Sequence, residues 1–308
     1  MRDVEGYRFE PVASCNMCGS ANHRILGKRL NGHQGLRPRS ASGISVSVER
    51  CLDCGLIYPN PMPVPDDLGQ HYDVDPSAYW KDARFELDGY FEGQISTFRE
   101  LWAGDDPSAL DIGAGLGRCM AALARAGFDA TGIEPSPSFH AAAIENGVAP
   151  TRLLLAPVEE AEFARGFDFV TFGAVLEHLR DPAAAIERAI RWTAPGGLIH
   201  IEVPSARWLT AQLAWWAYRL QGLDYVPFLS PMHPPYHLYE FTLDAFERLG
   251  ERLGYTVCRH QIHVAETFLP GIVSRLGAAV MSRTGTGMQL EVWLEPHVRD
   301  PRAADTVS

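Results

Sequence analysis

The chain carries two Cys-x-x-Cys-Gly turns, Cys15-Asn-Met-Cys18-Gly and Cys51-Leu-Asp-Cys54-Gly. Each sets two thiolates on a tight turn whose glycine allows positive φ, and the four sulfurs together make the tetrahedral set of a structural zinc site. The other chemistry open to one such pair is a redox dithiol, which does not usually come doubled with a glycine after each pair. A second constellation is Asp111-Ile-Gly-Ala-Gly-Leu-Gly, in which Gly113, Gly115 and Gly117 follow an apolar stretch and precede an alanine-rich one. Glycines there let the backbone turn and approach a ligand, while the next helix presents unpaired N–H groups at its N-terminus. A dinucleotide fingerprint would read Gly-x-Gly-x-x-Gly; here a carboxylate, Asp111, precedes the turn, and it would repel a pyrophosphate but suit a cofactor with a cationic end. Glu134 closes the next apolar stretch about 20 residues on, where a carboxylate can hold a ribose hydroxyl pair. A turn that only packs helix on strand is the alternative reading.

Histidine is the side chain best suited to take a proton near neutral pH. Two positions qualify: His178, beside Glu177 after an apolar strand, and His237, which with His233 flanks Pro234-Pro235-Tyr236. His178 could equally cap its helix or hydrogen-bond a ligand. His237 is the first candidate for a base and His178 the second.

The elements that must position these groups alternate. Apolar stretches at 110–112, 130–133, 152–156, 167–172, 198–203, 256–263 and 288–294 read as strands, and 78–101, 118–126, 138–146, 182–193 and 243–253 as helices. Seven strands interleaved with helices predict an α/β, doubly wound parallel sheet. Ligands of such sheets lie beyond the carboxyl ends of the strands, which selects Asp111 and the glycines, Glu134 and Pro135, Val158 with its neighbours, and residues 172–178. The expected organisation is a zinc-ribbon-like module at 1–60, a linker and helix at 61–104 with a stiff proline stretch at 59–65, a main domain at 105–297, and a disordered tail at 298–308. An aromatic insertion at 205–241 is expected to cap the acceptor pocket, with Leu209, Leu213 and Trp216 at helical spacing as packing residues.

The motifs Asp111-Ile-Gly-Ala-Gly, Gly132-Ile-Glu-Pro, Phe167-Asp-Phe-Val, Val175-Leu-Glu-His-Leu-Arg-Asp-Pro, Ala194-Pro-Gly-Gly-Leu and His237-Leu-Tyr-Glu-Phe-Thr run through nearly the whole chain. With the cysteine pairs, they resemble the class I S-adenosylmethionine-dependent methyltransferase family, in its form with an N-terminal four-cysteine zinc module. The resemblance implies a seven-stranded Rossmann-like methyltransferase sheet and S-adenosylmethionine (SAM) as cofactor. It places Asp111, Gly113, Ala114, Gly115 and Gly117 at the cofactor, Glu134 and Pro135 at its ribose, and Val158, Phe172 and Leu176 around it. It also makes Tyr72 and Tyr79 the aromatic pair leading into a helix over the cofactor, a role that plain packing on the sheet would equally explain. Related quinone O-methyltransferases use the Glu177-His178 pair with a further acidic residue one turn earlier to hold a metal. Here that position is Ala174, which leaves His178 as a metal-free base.

The formal net charge of −11 argues against a general affinity for nucleic acid or anionic membranes. The first residues have no apolar core of a signal peptide, and the longest apolar run, 208–220, is broken by Gln212 and Arg219 and too short to span a bilayer. The expectation is a cytoplasmic enzyme, its six cysteines unpaired, acting on a small-molecule acceptor such as a sugar or natural-product intermediate, at oxygen or nitrogen rather than carbon. An RNA methyltransferase and a non-catalytic SAM-binding protein are the alternatives.

Overall fold

The computed structural model describes residues 6–30, 45–66, 87–233, 235–268 and 271–297. The N-terminal part holds β1 (Tyr7–Glu10), β2 (His23–Leu30), β3 (Ser45–Cys51), β4 (Ile57–Pro59) and β5 (Met62–Pro65). β2, β3 and β4 form an antiparallel sheet, and β1 pairs with β5. β3 runs directly into Cys51 and so leads into the second cysteine turn. Pro63 and Pro65 are tolerated in β5 because it has a partner on one side only, and its Met62 and Val64 are buried.

The remaining elements are α1 (Glu92–Leu101), β6 (Ser108–Ile112), α2 (Arg118–Arg125), β7 (Asp129–Glu134), α3 (Pro137–Glu145), β8 (Leu153–Leu155), β9 (Phe167–Gly173), α4 (Pro182–Trp192), β10 (Thr193–Pro204), α5 (Leu209–Leu220), α6 (Leu243–Leu253), β11 (Tyr255–His263), α7 (Gly271–Thr284) and β12 (Gln289–Pro296). Local chemistry fixes several helix starts. Asp181 accepts from Ala184 N at 3.0 Å and Thr242 from Ala245 N at 3.1 Å, each satisfying a backbone donor at a helix end. Seven strands make one sheet in the order β11-β12-β10-β9-β6-β7-β8. β10, β9, β6, β7 and β8 are mutually parallel, as expected, but β12 runs antiparallel to both its neighbours. His263 pairs with Gln289, so the connection holding α7 stays at one end of the sheet and the chain must return in the opposite direction. α7 has no counterpart in the sequence reading. Val273, Leu276 and Val280, at i, i+3 and i+7, share a face that stays exposed, while Met281 beside it is buried.

One face of the sheet presents Ile199, Ile201 and Val203 to Ile186 of α4 and Phe246 and Leu249 of α6, and the same cluster takes in Cys15, Met17, Leu56 and Tyr58. The cysteine module and the sheet therefore share a core. On the other face, Phe169, Leu198 and Trp293 pack under Phe98 of α1. The helix expected over 78–101 starts at Glu92 within the described residues, after Phe91 in the left-handed region at φ 64°. Tyr72 and Tyr79 lie outside the described residues, as does the tail at 298–308.

The aromatic insertion departs from expectation. Trp215 Nε1 donates to Leu26 O at 3.1 Å, Val226 N to Lys28 O at 3.0 Å, and Trp215, Val226 and Phe228 pack with Leu26, Val48 and Ile57. Most of the segment thus fills the space between the N-terminal sheet and the main domain instead of capping a pocket. Leu213 and Trp216, expected to pack, are 56% and 57% exposed. The buried face of α5 is Thr210, Ala211 and Trp215, because the contact with β2 turns that face inward. The end of the insertion, from Ser230 to Tyr239, is what reaches the carboxyl edge of the sheet.

Candidate active site

β6 carries Asp111 into the interior, and the chain then turns through Gly113, Gly115 and Gly117 at φ 73°, 54° and 79° into α2. A Cβ on Gly113 would stand 2.6 Å from Val175 Cγ2, and one on Gly117 would overlap Val148. A Cβ on Gly115 would meet nothing within 4 Å, so the middle of the turn borders open space. Glu134, at the end of β7, closes the turn: its Oε2 accepts from Gly115 N at 2.7 Å and its Oε1 from Ser136 N at 2.9 Å. Burial raises the Glu134 carboxyl above its ordinary range, against these two hydrogen bonds. Asp111 is 3% exposed, and its Oδ2 has no hydrogen-bond partner among the described residues. Burial pushes its carboxyl up to about 7, opposed by a hydrogen bond from Cys119.

The loop after β9 forms the opposite wall. Ala174 takes the left-handed conformation at φ 56°, Val175 covers Gly113, and Leu176–His178 make a short 3-10 turn. Leu238 N donates to Glu177 O at 2.7 Å, which draws the 237–239 segment onto this turn. As a result His237 Nε2 lies 3.8 Å from Glu177 Oε1, and the His178 and His237 rings meet edge to face at 4.9 Å. The two histidines singled out in the sequence share one carboxylate, with His178 Nε2 4.0 Å from the same oxygen. Burial drives the Glu177 acid up to about 8, with Glu202 adding to the effect. Burial, then His178 and His233, lower the His237 ring to about 3 and keep it uncharged at neutral pH.

Other expected cofactor contacts fall elsewhere. Phe172 and Leu176 are fully buried in the main apolar cluster, and their side chains offer no surface to a ligand. The strand's alternation explains Phe172: Thr171 takes the face that meets His200, so Phe172 takes the other. Val158 is in the same cluster, Ala114 packs with Met120, Ala143, Val148 and Leu153, and Pro135 is half-buried beside Glu134. Tyr79 is outside the described residues.

The family described as "Methyltransferase domain" matches residues 87–260, more than half of the chain. The chain belongs to the class I S-adenosylmethionine-dependent methyltransferase family. The chain is 32% identical over 120 residues to a ubiquinone biosynthesis O-methyltransferase of Bradyrhizobium sp. (strain ORS 278), covering 38% of this chain and 46% of that protein. It is 39% identical over 98 residues to the protein of that name from Psychrobacter arcticus, covering 29% of this chain and 37% of that protein. It thus spans less than half the length of these curated relatives. A chain from the complex between the Haloferax volcanii Trm112 methyltransferase activator and a methyltransferase superposes at a TM-score of 0.51, with 16% identity, over 73% of this chain and 99% of that one. This is likeness of fold.

The four cysteines of the N-terminal module come together as the spacing predicts. Cys15 and Cys54 sulfurs lie 3.5 Å apart, Cys18 and Cys51 likewise, and all four fall within 4.8 Å of one another. Sulfurs around a tetrahedral zinc stand about 3.8 Å apart, so the set fits the ion. The knuckles reach the active-site wall. Thr242 Oγ1 bonds Cys54 O, Asn16 Nδ2 donates to Asp181 Oδ1 at 2.8 Å, and Arg252 donates to Met17 O at 2.6 Å. Removing zinc with a chelator, or replacing Cys51 by serine, is therefore expected to lower Tm by roughly 10 °C or more and to reduce kcat through the 178–181 and 237–242 segments, while SAM affinity changes little. Elemental analysis should return one zinc per chain; protein free of zinc with an unchanged melting curve would contradict this assignment.

The fold also places polar groups near the site that the sequence reading passed over. Cys119 bonds Asp111, and His200 of β10, Glu291 of β12 and His263 of β11 gather with Glu202 of β10 on the side of the sheet beyond β9. No helix among the described residues is long and apolar enough to cross a membrane.

Proposed function

We propose that this methyltransferase works in the cytoplasm and transfers a methyl group from SAM to a small molecule, with oxygen favoured over nitrogen as the acceptor atom and a sugar or natural-product intermediate as the acceptor class. The observation that carries this reading is the His237 ring held 3.8 Å from the buried carboxyl of Glu177 and edge to face with His178, next to the wall that faces the glycine turn. The relatives named above support oxygen, since both are named as O-methyltransferases.

The turn fits the cofactor on its own terms. Asp111 holds a carboxyl oxygen in the interior with no hydrogen-bond partner among the described residues, which suits a cationic methionine end, and the open space over Gly115 leaves room for it. Glu134 is placed to accept ribose hydroxyls with the lone pairs its two backbone bonds leave over. When bound, SAM supplies a methyl group on a sulfonium, an electrophile that needs only an aligned nucleophile. His237 would accept the acceptor's proton, and Glu177 would stabilise the imidazolium so formed. Trp215, Val226 and Phe228 hold the base of the insertion rigidly against the N-terminal sheet, so His237 approaches from a fixed frame.

Label from methyl-tritiated SAM should appear in at least one member of a panel of hydroxylated sugars and phenols; transfer to amines alone, or to structured RNA, would displace the oxygen reading. The pH dependence follows from Glu177. Its acid is neutral below about 8 and ionised above, and only the ionised form supports an imidazolium on His237. With His178, His233 and Glu202 as the other titrating neighbours, kcat is expected to rise with pH toward about 8 and then level off. In Glu177→Gln that rising limb should vanish; a limb that persists would assign it to another group.

A further inference from the structure

β10 is a central strand buried on both faces, where apolar side chains are expected. It nevertheless carries His200 and Glu202 at alternate positions, hence on one face. The antiparallel register of β12 sets Glu291 directly opposite Glu202, and Trp293 opposite His200. Like charges directly opposite across an antiparallel pair are destabilising unless something between them compensates. Among the described residues neither carboxylate pairs with an arginine or lysine; the contacts that Glu291 Oε2 makes are with His263 Nε2 at 2.8 Å, with Gln94 Nε2 at 3.3 Å and, more distantly, with His200 Nε2 at 4.0 Å.

His200 is the second observation. The ring is fully buried, its Nδ1 is engaged by Thr171 Oγ1 at 2.8 Å, and its Nε2 has no hydrogen-bond partner among the described residues. The unpartnered nitrogen points toward the carboxylates: ligand atoms of His200, Glu202 and Glu291 all lie within 4.8 Å of one another. Trp293 Nε1 binds the far oxygen of Glu291 at 2.8 Å, leaving Oε2 turned inward. Outer partners that fix a ring by its other nitrogen and a carboxylate by its other oxygen are how proteins orient metal ligands.

We propose that His200, Glu202 and Glu291 form a site for a divalent cation, with His263 beside it as a further donor. One imidazole and two carboxylates suit Mn2+ or Mg2+ better than a thiophilic ion, which distinguishes this site from the four cysteines. The site opens toward the acceptor space. Gly173 is the register neighbour of Glu202, and a Cβ there would meet nothing within 4 Å. An ion held here would keep coordination positions for a hydroxyl oxygen of the acceptor and lower its pKa, leaving the proton to His237. That role rests on the methyl-transfer reading; the site itself does not.

The zinc-loaded full chain would be titrated with Mn2+, following loss of the free-ion EPR signal, and with SAM by calorimetry on the same preparation. Wild type is expected to bind one Mn2+, and Glu202→Gln, an isosteric change at a partly buried position whose fold is checked by its melting curve, to bind it at least tenfold more weakly. Glu177→Gln should bind Mn2+ as wild type does. No Mn2+ retained by wild type, or equal affinity in Glu202→Gln, would overturn the site, as would loss of binding in Glu177→Gln alone, which would move the ion to the His178–His237 cluster. His200→Gln supplies a second arm should Glu202→Gln fail to fold, with the same tenfold loss expected and unchanged affinity counting against the site. SAM binding that survives while Mn2+ binding fails would sink the cation site and leave the methyltransferase reading standing.

Discussion

Gly113→Val is expected to raise the Kd for SAM by at least ~100-fold, on the order of 2.7 kcal/mol of binding free energy. Two effects act together. The residue sits at φ 73°, where a β-branched side chain is strained, and its Cβ would stand 2.6 Å from Val175 Cγ2. Val175 cannot move alone, because it begins the short turn that carries Glu177 and His178. The displacement would therefore reach the cofactor turn and the opposite wall at once. Gly127→Ala is the control. It also has positive φ, 88°, but a Cβ there meets nothing within 4 Å, so it should cost about 1 kcal/mol of stability and leave SAM affinity as in wild type. Calorimetric titration of the two variants separates a ligand-specific loss from general strain. Equal SAM affinity in Gly113→Val and wild type would remove the turn from the cofactor site.

His237→Ala is expected to lower kcat by roughly a hundredfold or more, with SAM affinity within about twofold of wild type. The ring lies 3.8 Å from a fully buried carboxyl group, so its removal deletes the proton acceptor beside that oxygen. His178→Ala should cost less, since its Nε2 stands at 4.0 Å from the same oxygen. Rates measured at saturating SAM and acceptor distinguish loss of the base from loss of binding. If both variants keep the wild-type kcat, catalysis rests on alignment of the reactants alone.

What could be read from the sequence was local. Asp111 and the three glycines lie within one strand–turn–helix unit, and each cysteine pair lies within one turn, so residue type and spacing suffice to place them. The parallel strands were legible for the same reason, each marked by its own apolar run and flanking turn. The meeting of His237 with Glu177 was not, because it depends on a backbone hydrogen bond from Leu238 to a distant loop. His200 and Glu202 were visible as polar residues at alternate positions in Leu198-Ile-His-Ile-Glu-Val, which is unusual for a strand buried on both faces. Their partner Glu291 appears only once β12 runs antiparallel, a consequence of the long connection through α7. The helix α5 misled because periodicity gives the apolar residues of a helix but not its rotation. Contact with Leu26 decided that Trp215, not Trp216, would be buried.

The most direct measurement is a crystal structure of the zinc-loaded protein with S-adenosylhomocysteine. The account predicts the methionine end over Gly113 and Gly115 beside Asp111, the ribose against Glu134, and the sulfur facing the space between His237 and Glu202. An aligned acceptor oxygen would then lie about 3 Å from the transferred methyl and within hydrogen-bond reach of the base. A sulfur turned away from His237, or a cofactor bound without contact to the glycine turn, would contradict it.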